Sequence, residues 1–415
     1  MSRDPLPSVE ILDPRRYADE GYPHADWARL RRESPVHWCE RAEGEPFWAL
    51  TRHEDIVHVS QRPGQYLNAP RLVMSFDPKA TPEDFGLRML LNMDPPEHRA
   101  YRNLISQRFT PRALGKIRSR VDGIADEILD RVMEHGAQGE TDFVATVSAL
   151  LPIWVIAEML GVPRSDWELL FDWTNKTIGA ADPEYRDEGA SPKETIEAAR
   201  LSLFHYFDDM TKDRRKHPQD DLVSLLANAE VDGKELPPFE LLSYYLLLVI
   251  AGNETTRNAT SGGLLALIEN RDEWAKVRND PALLKPLVEE VLRWTSPVIH
   301  FCRTAAEDVE LAGKRIRAGD RLVLFYPSAN RDEAVFDEHD RFRADRRRNR
   351  HLAFGIGEHF CLGAHVARLE LEVILRHLVA RLEDVEIAGP VERLRSSVVG
   401  GIKHLPIRYR LRKAA

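Results

Sequence analysis

The sequence predicts a mainly α-helical protein with a minor β region. Apolar residues recur at helical spacings of three and four through most of residues 122–229, and a proline-free run over residues 239–270 is long enough for one helix of about 45 Å. Short alternating runs lie mainly within residues 35–60, 297–326 and 385–412, where we expect a small β-rich part.

Composition favours one large domain over residues 1–415, because no Gly/Ser-rich linker, low-complexity tract or internal repeat divides the chain. The net charge of −9, from 58 basic and 67 acidic residues, argues against a nucleic-acid-binding protein. Cys39, Cys302 and Cys361 lie far apart, so they indicate neither a disulfide framework nor a zinc knuckle. No run of about 18 apolar residues occurs, and we expect a cytoplasmic monomer without a membrane anchor.

The N-terminal part mixes predicted strands at 35–39 and 47–51 with helices at 27–32 and 53–60. Residues 64–91 then lose all periodicity and predict a long loop. A loop of this length in a compact domain is usually functional, and its apolar side chains indicate that it covers an apolar ligand. These side chains include Leu72, Val73, Met74 and Phe76.

A helix is expected to start at Asp94, with Asp94 as its cap and the two following prolines in its first turn. His98 and Arg102 stand four residues apart and so share one helix face. Two cationic donors on one face suit a dianionic partner; the alternative is a solvated charged face.

Helical periodicity continues through the middle of the chain, in residues 122–133, 143–160, 166–178, 192–216 and 220–229. In the long helix over 239–270, the apolar run ends abruptly at Ala251 and Gly252, followed by Glu254 and Thr255. Polar residues and a glycine inside a buried helix predict a kink, and a buried carboxylate there needs a partner or a task. The alternative is an architectural kink filled by water.

Glu290 and Arg293 lie one helical turn apart and can form an ion pair. Residues 297–303 predict extended chain, with Val298 and Ile299 turned towards a pocket. Short strands follow at 309–311, 314–317 and 321–326, and a strand turn at 398–402 returns to the same place with Val398 and Val399.

Residues 354–363 place Cys361 in a loop with three glycines, directly before a periodic apolar segment that begins at Leu362. We expect a helix from Leu362, so the sulfur would lie near a helix N-terminus, where unpaired N–H groups favour a thiolate. Backbone without Cβ atoms could wrap around the sulfur and leave room for a flat cofactor. The pattern favours a thiolate ligand to haem iron over a buried structural cysteine beside a glycine turn.

This loop resembles the haem-binding signature FGxGxHxCxG of the cytochrome P-450 monooxygenases at every fixed position: Phe354, Gly355, Gly357, His359, Cys361 and Gly363. Residues 94–102, residues 251–256 with Glu254 in place of the commoner aspartate, and the ExxR pair resemble three further motifs of that family. The resemblance runs from about residue 94 to the end of the chain. It implies the family's triangular-prism fold, with haem b (iron protoporphyrin IX) between the long helix and the Cys361 helix.

The resemblance also implies roles for individual residues. His98, Arg102 and Arg303 would bind the haem propionates, and Arg346 would join Glu290 and Arg293 in a structural network that braces the cysteine loop. Glu254 and Thr255 would deliver protons. Cys361 would be the metal ligand, and the other cofactor-binding residues would be Ala251, Gly252, Phe354, Gly355, His359 and Gly363. The substrate pocket would be formed by Leu72, Val73, Met74, Phe76, Val298, Ile299, Val398 and Val399.

The implied reaction inserts one oxygen atom of O₂ into a C–H bond of a hydrophobic substrate, by resemblance a steroid, sterol or branched lipid, with fatty acids or terpenoids as alternatives. No GxGxxG fingerprint for a flavin or nicotinamide is present, so a separate ferredoxin and ferredoxin reductase are implied. A ferredoxin could dock on a basic surface, or that surface is simply solvated. Its residues are Arg108, Arg112, Lys116, Arg347 and Arg348. The alternatives of other classes are a haem-thiolate sensor without catalysis and a peroxygenase.

Overall fold

The computed structural model describes residues 11–41, 44–74, 88–180 and 182–413, which form fifteen α-helices and fourteen β-strands. Helices α1 to α8 span Pro14–Asp19, His24–Glu33, His53–Ser60, Glu97–Asn103, Pro111–Gly115, Arg118–Glu134, Leu150–Leu160 and Trp167–Gly179. Helices α9 to α15 span Pro192–Lys216, Leu222–Ala227, Pro238–Glu269, Arg271–Asn279, Leu284–Thr295, Tyr326–Ala329 and Ala364–Arg381. The mainly α fold class predicted from periodicity is confirmed.

The strands are short. Strands β1 to β7 span Val36–Cys39, Phe47–Leu50, Tyr66–Leu67, Gln138–Asp142, Glu230–Val231, Lys234–Glu235 and His300–Ala305. Strands β8 to β14 span Val309–Leu311, Lys314–Ile316, Arg321–Phe325, Leu382–Ile387, Glu392–Arg393, Ile402–His404 and Pro406–Leu411. The largest sheet has the order β1-β2-β10-β7-β3, a second has the order β11-β14-β4, and three hairpins pair β5 with β6, β8 with β9 and β12 with β13.

Helix α11 forms the centre of the fold. It is 32 residues long and packs against α7, α8, α9, α13 and α15. Five consecutive residues, from Tyr245 to Val249, are all buried, which a helix shows only when other elements surround it. A kink is predicted at residues 251–256, and the α-helix continues through them without a break. The Thr255 hydroxyl donates to the Ala251 carbonyl (3.0 Å), a side-chain bond of the kind that often bends a helix slightly.

Some helices begin at other residues than the sequence predicts. Residues 143–160 hold a π-helical turn at Val144–Ser148 before α7 begins, and the cysteine helix starts at Ala364 instead of Leu362. Asp94 does not cap α4 through its side chain. Its carboxylate instead accepts the N–H groups of Asn68 (2.8 Å) and Ala69 (3.1 Å), so it ties the preceding loop to the start of α4.

The predicted network around Glu290 is present and fully buried. Glu290 accepts two hydrogen bonds from Arg293 (2.7 and 2.8 Å) and one from Arg346 (2.9 Å). Both guanidinium groups also donate to backbone carbonyls, among them Arg341, which accepts from both. One carboxylate therefore holds α13 and the chain just before the cysteine loop in a single arrangement.

We expect Glu290→Gln to lower the free energy of unfolding by about 3–5 kcal/mol, because it leaves two buried guanidinium groups without a counter-charge. Urea titration measures the change. The matched control is Glu140→Gln, which removes half of the exposed pair with Arg408 and is expected to cost at most about 1 kcal/mol. Equal losses in the two variants would show that the buried network does not brace the fold.

No helix among the described residues combines the length and the apolar character that a membrane crossing requires.

Candidate active site

An open cavity of about 1600 Å³, including the solvent space at its mouth, lies between α11 and the segment that carries Cys361. Its walls are mainly apolar and come from α4, α11, α15 and the chain before β7. The apolar wall residues include Leu72, Leu90, Leu91, Ile156, Leu247, Leu248, Val298, Phe301 and Val366. This space is deep and apolar, and one side of α11 lines it. It is therefore the candidate active site.

The cysteine loop brings one sulfur to this cavity. Gly355 and Gly357 have φ of +63° and +81°, in the left-handed region that glycine adopts without strain. A Cβ on Gly357 would also lie 2.4 Å from the Ser60 carbonyl oxygen, so the turn requires glycine there. The Cys361 N–H donates to the Phe354 carbonyl (2.9 Å), which closes the loop and aims the sulfur at the cavity.

Desolvation raises the pKa of the Cys361 thiol, whereas the Gly363 N–H and the charges of Arg102 and Arg368 lower it. The same backbone donor and positive charges would stabilise a thiolate once a metal ion bound to the sulfur. The other cysteines lack this setting. Cys302 is fully buried, donates to the Arg71 carbonyl (3.3 Å) and has its pKa raised to about 11 by burial, and neither it nor Cys39 lines the cavity.

Four cationic or potentially cationic side chains gather at one side of the cavity: His98, Arg102, Arg303 and His359. The His98 and His359 rings lie 4.0 Å apart, and His359 Nε2 is buried without a hydrogen-bond partner among the described residues. Desolvation, followed by the charges of His98 and Arg303, lowers the pKa of His359 to about 3. A dianionic group placed here would neutralise the cluster and supply the missing acceptor. The donor set fits the two propionates of a haem.

The polar side chains of α11 point in two directions. Thr255 and Thr256 line the cavity, whereas Glu254 does not: its carboxylate pairs with Arg257 on the same helix. Both groups are buried, and Arg257 also donates to Asn175 Oδ1 on α8 (2.8 Å). Desolvation raises the pKa of Glu254, and Arg257 opposes this. Glu254 Oε1 has no hydrogen-bond partner in the described residues.

The family model of cytochrome P450 (cytochrome P-450) matches residues 15–392 of the 415. The chain belongs to the cytochrome P-450 family. Three curated relatives are similar over nearly the whole chain: a steroid C26-monooxygenase of Rhodococcus jostii (36% identity; 97% of this chain, 84% of the relative), linalool 8-monooxygenase of Pseudomonas putida (36%; 96% and 98%) and methyl-branched lipid omega-hydroxylase of Mycobacterium bovis (35%; 98% and 95%).

Among solved structures, a cytochrome P-450 of Mycobacterium marinum in complex with pseudoionone is similar with a TM-score of 0.91 and 34% identity, covering 98% of this chain and 100% of that one. The predicted cytochrome P-450 fold, monooxygenase class and haem-thiolate cofactor are thereby confirmed. Haem is the cofactor of this family, and the sulfur, the cation cluster and the apolar walls described above fit it.

The structure brings all ten residues predicted to bind the cofactor to the cavity, together with Thr255 and some of the predicted pocket residues. The predicted residues that line it are Leu72, His98, Arg102, Ala251, Gly252, Thr255, Val298, Arg303, Phe354, Gly355, His359, Cys361 and Gly363.

Other predicted pocket residues lie elsewhere. Met74 and Ile299 pack, fully buried, in a separate cluster with Val323 and Phe325. Neither lines the cavity. For Ile299 the reason is that adjacent residues of extended chain face opposite sides, and its neighbour Val298 faces the cavity. Val73, Val398 and Val399 also do not line it, although Val399 forms a β-bridge with Val298. Phe76 lies outside the described residues.

Two residues that the sequence reasoning missed are prominent in the site. Glu370 lines the cavity from α15, and burial raises its pKa to about 8, with a partly offsetting hydrogen bond to Thr256. The sequence contains a signal for Glu370: it lies four residues after Val366 and four before Ile374, so a charged residue interrupts one apolar face of the helix. Arg257 was equally visible as a cation three residues after Glu254.

Proposed function

We propose that Cys361 is the thiolate ligand of the haem, that His98, Arg102, Arg303 and His359 hold its propionates, and that the substrate is a bulky apolar molecule of the steroid, sterol or branched-lipid class. The observation that carries the proposal is one apolar cavity with the Cys361 sulfur on one wall, Thr255 on the opposite helix and the cation cluster at its side. Haem, when bound, supplies the iron at which O₂ is activated for insertion into a C–H bond.

The residues of the chain have separate tasks in this reaction. The apolar walls exclude bulk water and orient the substrate, since they offer few donors or acceptors. The Thr255 hydroxyl donates to the Ala251 carbonyl, so its oxygen can still accept a hydrogen bond from a proton donor in the cavity. Glu254 and Glu370 both carry carboxylates near this point, and each has a raised pKa, which suits a group that both takes up and releases a proton.

The apolar lining supports a large hydrophobic substrate. Relatives of almost equal identity are named for a steroid, for a methyl-branched lipid and for linalool, so identity alone does not select among these classes. The cavity must hold the haem together with the substrate, and its remaining wall on α11 and before β7 is aliphatic, with Leu247, Leu248 and Val298. Aliphatic walls reward each additional buried CH₂ group of a ligand by about 0.8 kcal/mol. We therefore favour the larger skeletons.

We further propose that a ferredoxin docks on the side of the cysteine loop. Phe360, directly before Cys361, is 37% exposed. Arg112 and Lys116 lie at α5, which packs against α15, and Arg347 and Arg348 lie shortly before the cysteine loop. All four are exposed and make no ion pair within the described ranges. Arg108 differs, because Asp220 pairs with it at 2.6 Å and offsets its charge. An apolar contact surrounded by unpaired cations suits an acidic electron-transfer partner.

We expect cholesterol to bind about 10²-fold more tightly than linalool, since only about three or four additional buried CH₂ groups suffice for that ratio. Titration of the purified holoprotein, followed by the haem absorption spectrum, measures both affinities. A ferredoxin, its reductase and NADH should then convert the bound ligand to a hydroxylated product. Equal affinities would contradict the steroid class, and binding without product under reducing conditions would favour a sensor.

A further inference from the structure

A charged cluster joins the C-terminal hairpin β12–β13 to the α8–α9 connection, of which residues 182–191 are described. His404, at the end of β13, has carboxylates at both ring nitrogens. Its Nδ1 lies 2.6 Å from Asp142 Oδ2, and its Nε2 lies 3.0 Å from both carboxylate oxygens of Glu184 in the connection. A neutral imidazole has only one N–H, so both contacts are hydrogen bonds only when the ring is protonated.

Lys403, next to His404, makes parallel contacts. Its Nζ lies 3.3 Å from Asp182 and 3.0 Å from Glu184, both in the connection, and 3.7 Å from Glu392 on β12. Asp182 is buried, so this carboxylate depends on Lys403 for its counter-charge.

The charged groups around Lys403 and His404 come from β4, the connection and the hairpin itself. Asp142 belongs to β4, Asp182 and Glu184 belong to the connection, Glu392 lies opposite His404 in the hairpin, and Arg393 lies opposite Ile402. Strand β13 also packs against α11 and the π-helical turn Val144–Ser148. Four carboxylates thus surround one lysine and one histidine. The excess of negative charge favours the imidazolium.

We propose that His404 is a proton-dependent fastener that holds the α8–α9 connection against the C-terminal hairpin, and that loss of its proton loosens the connection. Other residues of the connection make contacts only with the adjoining helices: Asp187 pairs with Lys176 of α8, and Ser191 forms a capping box with Glu194 of α9. Asp182 and Glu184, by contrast, reach a strand more than 200 positions away in the chain.

The pH at which the fastener weakens follows from the sign of the shift. Desolvation opposes the charged form of His404, but the hydrogen bonds to Asp142 and Glu184 outweigh it and raise the pKa above the ordinary value of 6.5. The stabilisation is fully present below that ordinary value and is lost as the pH rises through the raised pKa. Lys403 stays protonated over this range, so the connection loosens without full release.

A looser connection would also affect the candidate active site. Tyr185 of the connection lies near the Glu254–Arg257 pair, whose charges act on its pKa, and Asn175 of α8 accepts from Arg257. This consequence rests on the proposed role of Glu254, whereas the fastener itself does not.

Hydrogen–deuterium exchange of the holoprotein tests the fastener without any measurement of activity. We expect the protection of residues 182–191, corrected for the intrinsic pH dependence of exchange, to fall about two- to five-fold between about pH 5 and pH 9. In His404→Gln and in Glu184→Gln the protection should be low and independent of pH. The matched control is His377→Gln, because His377 also lies between two aspartates (3.2 and 3.0 Å) but on α15, and it should behave as the wild type.

The proposal is overturned if His404→Gln retains the wild-type pH dependence. Should that variant fold poorly, Glu184→Gln decides in the same way, since it leaves the pair of His404 with Asp142 intact. An NMR titration gives an independent decision: a His404 pKa at or below 6.5 in the folded protein would also overturn it.

Discussion

Cys361→His is expected to remove the haem-thiolate signature of the protein completely. The carbon monoxide complex of the reduced variant should lack the red-shifted absorption band that thiolate ligation produces, because imidazole nitrogen replaces sulfur as the axial ligand. Haem content should fall by a smaller fraction than the intensity of that band, since His98, Arg102, Arg303 and the apolar walls would still contact the cofactor. Difference spectroscopy and a haem assay on the same sample separate the two effects.

The control is Cys302→Ala, whose sulfur lies in another core cluster and donates to the Arg71 carbonyl. This variant should keep the thiolate band at a stability cost of the size expected for a buried small side chain, about 1–3 kcal/mol. A Cys361→His protein that retained the red-shifted band would show that another sulfur ligates the iron. Cys39 would then be the remaining candidate.

The parts of the site that could be predicted from sequence are those whose chemistry is local in the chain. The cysteine loop is one: its glycines and its sulfur lie within ten consecutive residues and its helix follows directly, so spacing alone constrains their geometry. The pair of Glu290 and Arg293 is another, because residues one helical turn apart must meet. Arg346 needed the family resemblance, and the structure places it on the same carboxylate.

The errors arose where a side chain's direction depends on distant packing. Periodicity cannot show which of Val298 and Ile299 faces the cavity, since both are apolar: Ile299 is buried in the core, and Val298 is partly buried at the cavity. A helix kink was predicted from local propensity, yet α11 packs against several other helices and continues unbroken through its polar residues. Glu254 pairs with Arg257 one helical turn away, but only the folded chain brings Asn175 of α8 to the other side of that guanidinium group.

The second large effect concerns proton delivery, which we assign to Thr255 and Glu254. Thr255→Ala should leave haem content and substrate affinity nearly unchanged, because the hydroxyl contacts only the Ala251 carbonyl among the described residues. It should lower the amount of product formed per NADH consumed, since electrons then drain into peroxide or water when the positioned hydroxyl is missing. Product and NADH measured in one reaction give this ratio. A fully coupled Thr255→Ala protein would assign the hydroxyl to helix architecture alone.

Glu254→Gln should lower the turnover rate itself by about 10²–10⁴-fold, the usual cost of losing a positioned acid–base group. The structure adds a condition to this expectation, because Glu254 must leave Arg257 before its carboxylate can exchange a proton with the cavity. Arg257→Lys keeps the charge but not the forked donor, so it should alter the pH profile of turnover while sparing substrate affinity.

Glu370→Gln is the decisive comparison, because Glu370 already lines the cavity and needs no such rearrangement. Its raised pKa, about 8, means that the carboxyl is mostly protonated at neutral pH and can donate without first being charged. If Glu254 is the proton source, Glu370→Gln should change turnover much less than Glu254→Gln does. A larger loss of turnover in Glu370→Gln would assign proton delivery to Glu370 on α15. Glu254 and Arg257 would then be a buried ion pair that joins α11 to α8 through Asn175.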